Sequence, residues 1–297
     1  MELENKEDLK LWRRVQVSKC IRVILIFIGI ILMQLLAYMI CVLGFAGYQL
    51  VMGMEIPEAM QKLSDYMSDS GSSLLMWVSA VSASLCMVWC GVLYRKSDWR
   101  ESPFSYKKAF SIKNLLGLVG VGFGACVVTT VFLSFLVVLF PDAFSSYQEL
   151  MSHIDYESSL ITIPYVLLIG PASEEIIFRG AIMDRFRIAF PFWLANILQA
   201  ALFGLYHMNL VQGLYAFGLG MALGLIGRVT GTIFASMLTH IIFNTTSWLM
   251  GICFDGTGTY EEAVLLVILL VALISLTAGL RYYLRMEKKQ RTEAGIE

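Results

Sequence analysis

Few side chains in this sequence can do chemistry where they stand. Glu174, Glu175, Arg179, His207 and His240 are the ionisable groups that fall within apolar stretches. A charge costs at least ~2.5 kcal/mol at the centre of a bilayer, so each marks a site or a structural pair. They fall into three clusters. In Gly170-Pro171-Ala172-Ser173-Glu174-Glu175-Ile176-Ile177-Phe178-Arg179, Glu175 and Arg179 are four apart and share a helical face, which predicts an ion pair. Glu174 is turned about 100° away from that pair. It is the free carboxylate and is assigned to chemistry, while Glu175 is assigned to structure. Pro171 predicts a kink, or a helix that starts afresh with both glutamates in its first turn.

The second cluster ends Phe203-Gly204-Leu205-Tyr206-His207, and the third is His240-Ile241-Ile242-Phe243-Asn244. Asn196, Gln199, Phe203 and His207 make one helical stripe; Ser236, His240, Asn244 and Ser247 make another. Polar stripes at membrane depth face protein rather than lipid. One carboxylate, two imidazoles and one carboxamide are therefore expected around a shared interior space. Hydrolysis of a peptide bond needs a base to activate water and donors for the developing oxyanion. Glu174 and His207 suit the first need, His240 and Asn244 the second. Ser173 beside the histidines is a lesser candidate, as a nucleophile.

These groups need helices to hold them, and composition says where the helices lie. The chain has 297 residues, of which 58% are hydrophobic and 15% charged, with a mean hydropathy of +0.71. So much apolar side chain calls for lipid. Eight apolar segments can be drawn: 22–51, 74–94, 115–140, 159–178, 192–207, 212–227, 232–253 and 263–283. All are read as helices, because backbone polar groups in lipid must pair within their own segment. The fold class is thus an all-α, polytopic integral membrane bundle of about eight spans. Threading these segments puts every lysine and arginine except Lys62 on one side, while Asp142, Glu149, Asp155, Glu157, Asp255, Glu261 and Glu262 fall on the other. By the positive-inside rule both termini are cytoplasmic.

Residues 1–157 form an N-terminal region of an interfacial stretch, 4–19, and three plain apolar spans. Residues 158–252 carry the polar chemistry, and 253–297 supply a last span and a basic tail. The six cysteines read as small packing residues. The glycines of the sixth segment are expected to let the fifth and seventh approach closely. Counted along straight helices, Glu174 lies near the cytoplasmic end of its span and His207 near the outer end of its own. A late or broken fourth helix, or a turn at 208–211 dipping into the membrane, is therefore predicted.

There is no His-Glu-x-x-His, no Gly-x-Ser-x-Gly and no pair of membrane aspartates. The set Glu-Glu-x-x-x-Arg, Phe-x-x-x-His and His-x-x-x-Asn resembles the CPBP family: type II CAAX prenyl endopeptidases together with bacteriocin-processing and self-immunity (Abi) proteins. The resemblance covers 158–250. It implies a helical membrane protease enclosing a polar cavity, with Glu174 and His207 activating water and His240 and Asn244 steadying the oxyanion. Glu175, Arg179 and Phe203 take supporting places. That family is often labelled metalloprotease, and Glu174, His207 and His240 suit a zinc ion. The same residues suit a metal-free mechanism, the reading preferred here. The implied partners are a membrane-associated peptide or protein substrate and the bilayer, with no nucleic acid. No signal or organelle-directing segment is apparent, so a bacterial plasma membrane is expected. Two readings compete: a non-catalytic bacteriocin self-immunity or partner-binding protein, and a proton-coupled transporter, which would show two related halves.

Overall fold

The computed structural model describes residues 6–68, 73–95, 109–152, 160–254 and 261–295, and among them every regular element is a helix. In chain order they are α1 (Lys6–Val51), α2 (Ile56–Ser68), α3 (Ser73–Arg95), α4 (Ile112–Leu139) and α5 (Pro141–Ser152). Then come α6 (residues 162–189), α7 (Phe192–Tyr206), α8 (Leu210–Thr230), α9 (Ile233–Cys253) and α10 (Glu261–Glu293). Five helices, α1, α3, α4, α8 and α10, are long and apolar enough to cross a membrane, and α7 is a shorter apolar helix. The chain is an all-α membrane bundle. The helices with the polar clusters, α6 and α9, fall outside the five because those residues lower their apolar content. Lys96, Arg100, Lys107, Lys108, Asp155, Glu157 and Asp255 lie outside the described residues, as does the 157/158 boundary.

α1 runs unbroken from Lys6, so the basic stretch is one helix with the first span and not a separate interfacial element. α1 and α3 pack against α6, α4 packs against α9 and α10, and α7 and α8 form a hairpin. The hairpin turns over Met208, whose φ is 53°. Asn209 then caps α8 by accepting from the Gln212 amide at 3.0 Å. Its helices touch backbone to backbone: a Cβ on Gly204 would sit 2.6 Å from the Gly213 carbonyl oxygen. Gly224 instead makes room for the side chains of Asn196 and Gln199. These glycines of α8 bring α7 close, while a Cβ on Gly227 would sit 3.8 Å from Ser236 Oγ of α9. Cys86, Cys90 and Cys126 are buried, as expected of small packing residues, while Cys20 and Cys41 are half-buried and Cys253 is exposed; none is in a disulfide.

Three expectations for the fourth segment are corrected. It does not end at Phe178 but continues to Ala189, with Arg179 inside the helix, and Glu174 lies near the middle of α6 rather than near the cytoplasmic end. Nor does α6 break or restart at Pro171; the glutamates are not in a first turn. Instead it passes through two π stretches, Tyr165–Ile169 and Ile176–Ile182. The first follows from proline chemistry. Gly170 N–H donates to the Tyr165 carbonyl, and the next donor in that register would come from residue 171, which has none. Since α6 runs on beyond the first cluster, its glutamates reach the depth of the histidines.

Candidate active site

A cavity of about 510 Å³ lies among α1, α3, α5, α6, α7, α8 and α9, and Glu174, His207, His240 and Asn244 all line it, with Phe203. The structure therefore brings together the four side chains that the sequence marked for chemistry.

The first shared support is the buried pair. Arg179 Nη1 donates to Glu175 Oε1 at 2.9 Å, with both side chains essentially without exposure. The same carboxylate oxygen lies 3.0 Å from His240 Nδ1. A carboxylate only accepts, so Nδ1 carries the hydrogen and Nε2 is turned to other work. That Nε2 lies 3.7 Å from Glu174 Oε2, beyond hydrogen-bond length. The link from Glu175 to His240 joins residues 65 positions apart, and no local pattern announced it. Glu174 keeps some exposure at 17%, consistent with the turn that separates it from the pair.

His207 ends α7, and its Nδ1 is 2.8 Å from the Phe203 carbonyl of its own helix. A carbonyl accepts, so this nitrogen is the donor, which in a neutral ring leaves the lone pair on Nε2. Phe203 is wedged between the imidazoles, its ring centroid 5.0 Å from that of His207 and 5.9 Å from that of His240. Its face also carries the Arg179 guanidinium at 4.5 Å, an attraction between cation and ring. Arg179 Nε and Nη2 have no hydrogen-bond acceptor among the described residues, so that face is their nearest compensation.

Asn244 Nδ2 donates to the Val166 carbonyl at 2.9 Å. This is the carbonyl that Pro171 leaves unpaired in the π register, so the motif proline provides the tether for the motif asparagine. One of the two amide hydrogens remains. Asn196 and Gln199 are fully buried, as their stripe required, but serve packing: Asn196 donates to the Met221 carbonyl at 3.0 Å and Gln199 to that of Gly220 at 3.0 Å. Ser236 is buried and Ser247 lines the cavity. Ser173 donates to the Gly170 carbonyl at 2.8 Å and is not among the cavity's lining residues.

Sequence reasoning missed several wall residues. Gln34 in α1, Ser79 in α3 and Tyr147 in α5 line the cavity from outside residues 158–252, as do Tyr165, Tyr206 and Tyr215 within them. Gln34 left a readable signal, an amide deep inside an apolar run; the tyrosines left none. Among the described residues no group of three or more histidine, cysteine, aspartate or glutamate side chains is arranged to hold a metal ion. Glu174, His207 and His240 as they stand do not form a zinc ligand set, and no step below is routed through a metal.

Fold and site define a polytopic helical membrane protein that encloses a polar cavity ringed by a carboxylate, two imidazoles and a carboxamide. A family model described as type II CAAX prenyl endopeptidase Rce1-like matches residues 156–246. The chain carries an Rce1-like domain there, in agreement with the family its motifs resemble, and every motif residue falls inside it. That match supports a CAAX-type intramembrane endopeptidase. No curated protein and no solved structure matches the chain.

Proposed function

We propose that this protein hydrolyses a peptide bond of a membrane-associated protein or peptide, with water activated by Glu174 and His207 and the oxyanion held by His240 and Asn244. The observation that carries this reading is the convergence of those four side chains on one cavity. Glu174 takes a proton from water while His207 Nε2 accepts the second hydrogen, and the hydroxide adds to the scissile carbonyl carbon. The tetrahedral oxyanion accepts from the Asn244 amide and from His240 Nε2–H. Its collapse breaks the C–N bond, and the amine leaves with the proton that Glu174 held.

The placement of His240 fits its role: Nδ1 lies 3.0 Å from Glu175, itself paired with Arg179, and in this scheme the ring presents an Nε2–H to the oxyanion. Glu175, Arg179, Phe203 and Pro171 are positioning residues in this scheme. The bundle would cross the bilayer about eight times, with both termini cytoplasmic and residues 158–252 as the catalytic region.

The test compares membrane peptidomes from cells with wild-type and Glu174→Gln protein. The expected result is a set of cut sites that disappear, with cleavage of a derived reporter reduced at least ~10²-fold while the protein folds. Cleavage that is indifferent to Glu174→Gln sinks the peptidase reading and favours the partner-binding alternative.

A further inference from the structure

Apart from Lys62 and the buried Arg179, the described basic residues and the cavity occupy opposite ends of the bundle. Four hydrogen bonds gather the base-bearing helix ends. Gln16 of α1 donates to the Ala189 carbonyl of α6 at 2.8 Å, and Arg185 of α6 to that of Leu93 in α3 at 3.5 Å. Tyr283 of α10 donates to the Asn114 carbonyl of α4 at 3.1 Å, and Gln290 of α10 to that of Val229 in α8 at 2.9 Å. Around these contacts stand Arg13, Arg14, Arg95, Lys113, Arg187 and Arg228.

The cavity draws on the other ends of the same helices. Ser79 lies near the start of α3, about 24 Å along the helix from Arg95 at 1.5 Å per residue, and Gln212 stands equally far from Arg228 on α8. His207 closes α7 at the end away from its turn out of α6, and Trp248 belongs to the last turns of α9. α5 follows the base-free end of α4, and its Tyr147 and Met151 form part of the wall; Tyr147 meets Tyr215 edge-on at 6.4 Å. Toward the basic end the cavity stops. One turn beyond Glu174, Phe178, Arg179 and Phe203 are each at most 2% exposed. A peptide entering from the basic end would have to pass a packed layer that includes a buried ion pair.

We infer that the cavity opens on the extracytoplasmic side and takes a peptide segment from the outer half or outer surface of the bilayer, rather than a cytoplasmic C-terminal tail. Two facts combine here: the positive-inside rule assigns the basic end to the cytoplasm, and the cavity wall comes from the opposite end. Tyr147, Tyr165, Tyr206, Tyr215 and Trp248 give the wall the wet-and-apolar character of a bilayer interface. The substrate class is an exported or membrane-spanning peptide whose outer segment is apolar. This rests on the peptidase reading for the word substrate, but not for the direction of opening.

The experiment keeps the two apart. In a background with Cys20, Cys41 and Cys253 replaced by serine, Met151→Cys and Gln212→Cys report the mouth and Lys289→Cys reports the basic end. Each is treated with a membrane-impermeant sulfonated maleimide in right-side-out and inverted vesicles. The expected result is labelling of positions 151 and 212 in right-side-out vesicles alone, and of position 289 in inverted vesicles alone. Labelling of either mouth position from the same side as position 289, or of neither mouth position from either side, overturns the inference. Independently, Glu174-dependent cut sites should map to outer segments of their substrates; sites in cytoplasmic tails overturn the direction while leaving the peptidase reading intact. If no cut depends on Glu174, the peptidase reading fails and the labelling still decides the direction.

Discussion

Replacing Glu175 with glutamine separates two duties that the structure gives one carboxylate. The side chain is fully buried, receives Arg179 Nη1 at 2.9 Å and faces His240 Nδ1 at 3.0 Å. Glutamine keeps the shape and removes the charge, leaving Arg179 as an uncompensated cation with 2% exposure. Removing one partner of a buried pair costs about 3–5 kcal/mol. Glu175→Gln should therefore lower stability by that amount in detergent, read by thermal or denaturant unfolding. Adding Arg179→Met removes the stranded charge with a side chain of similar reach, and most of the loss should return. Activity should not return with it: His240 in the double variant still lacks the anion that orients its ring, so reporter cleavage should stay down by ~10²-fold or more. With Arg179→Met alone as the fourth corner, the comparison is a double-mutant cycle read on two scales. A double variant that is both stable and fully active would refute the positioning of His240 by Glu175. A single variant as stable as wild type would refute the buried pair as a structural element.

Asn244→Ala should reduce turnover by ~10²–10³-fold with the fold retained, measured on the reporter identified through the peptidome comparison. Pro171→Ala gives the Val166 carbonyl an intrahelical donor that competes with Asn244 Nδ2; cleavage should fall although neither hydrolytic partner is touched, and wild-type turnover would remove the proline from the mechanism. Gly213→Ala brings a Cβ within 3.0 Å of the Gly204 carbonyl oxygen, and such overpacking should cost about 1–3 kcal/mol, visible as a lower unfolding midpoint. Phe203→Ala empties the space between two imidazoles and a guanidinium; a loss of about 3–5 kcal/mol should appear in the same unfolding assay, with activity lost as well.

The sequence by itself determined what depends on near neighbours and on solvation. The hydropathy of each run called for helices in lipid, and the segregation of lysine and arginine marked one end of the bundle. The spacing of four between Glu175 and Arg179 was enough for their ion pair, because a helix brings such residues together wherever it is. The stripes through His207 and His240 were legible for the same reason, since residues spaced three and four apart share a face.

Tertiary structure decided what depends on distant chain segments. Glu175 meets His240, and Val166 meets Asn244, only once α6 lies against α9. At Pro171 local rules see a missing N–H and offer a kink or a restart; α6 does not restart, and its irregularity is the π stretch just before the proline. Local rules cannot see that a π register shifts the lost bond onto a carbonyl with a partner waiting on another helix. The glycines of α8 said that neighbouring helices come close, but not that most of that closeness falls on α7. Gln34, Ser79 and Tyr147 entered the wall through helix packing, and periodicity along one helix carries no information about which helix stands opposite.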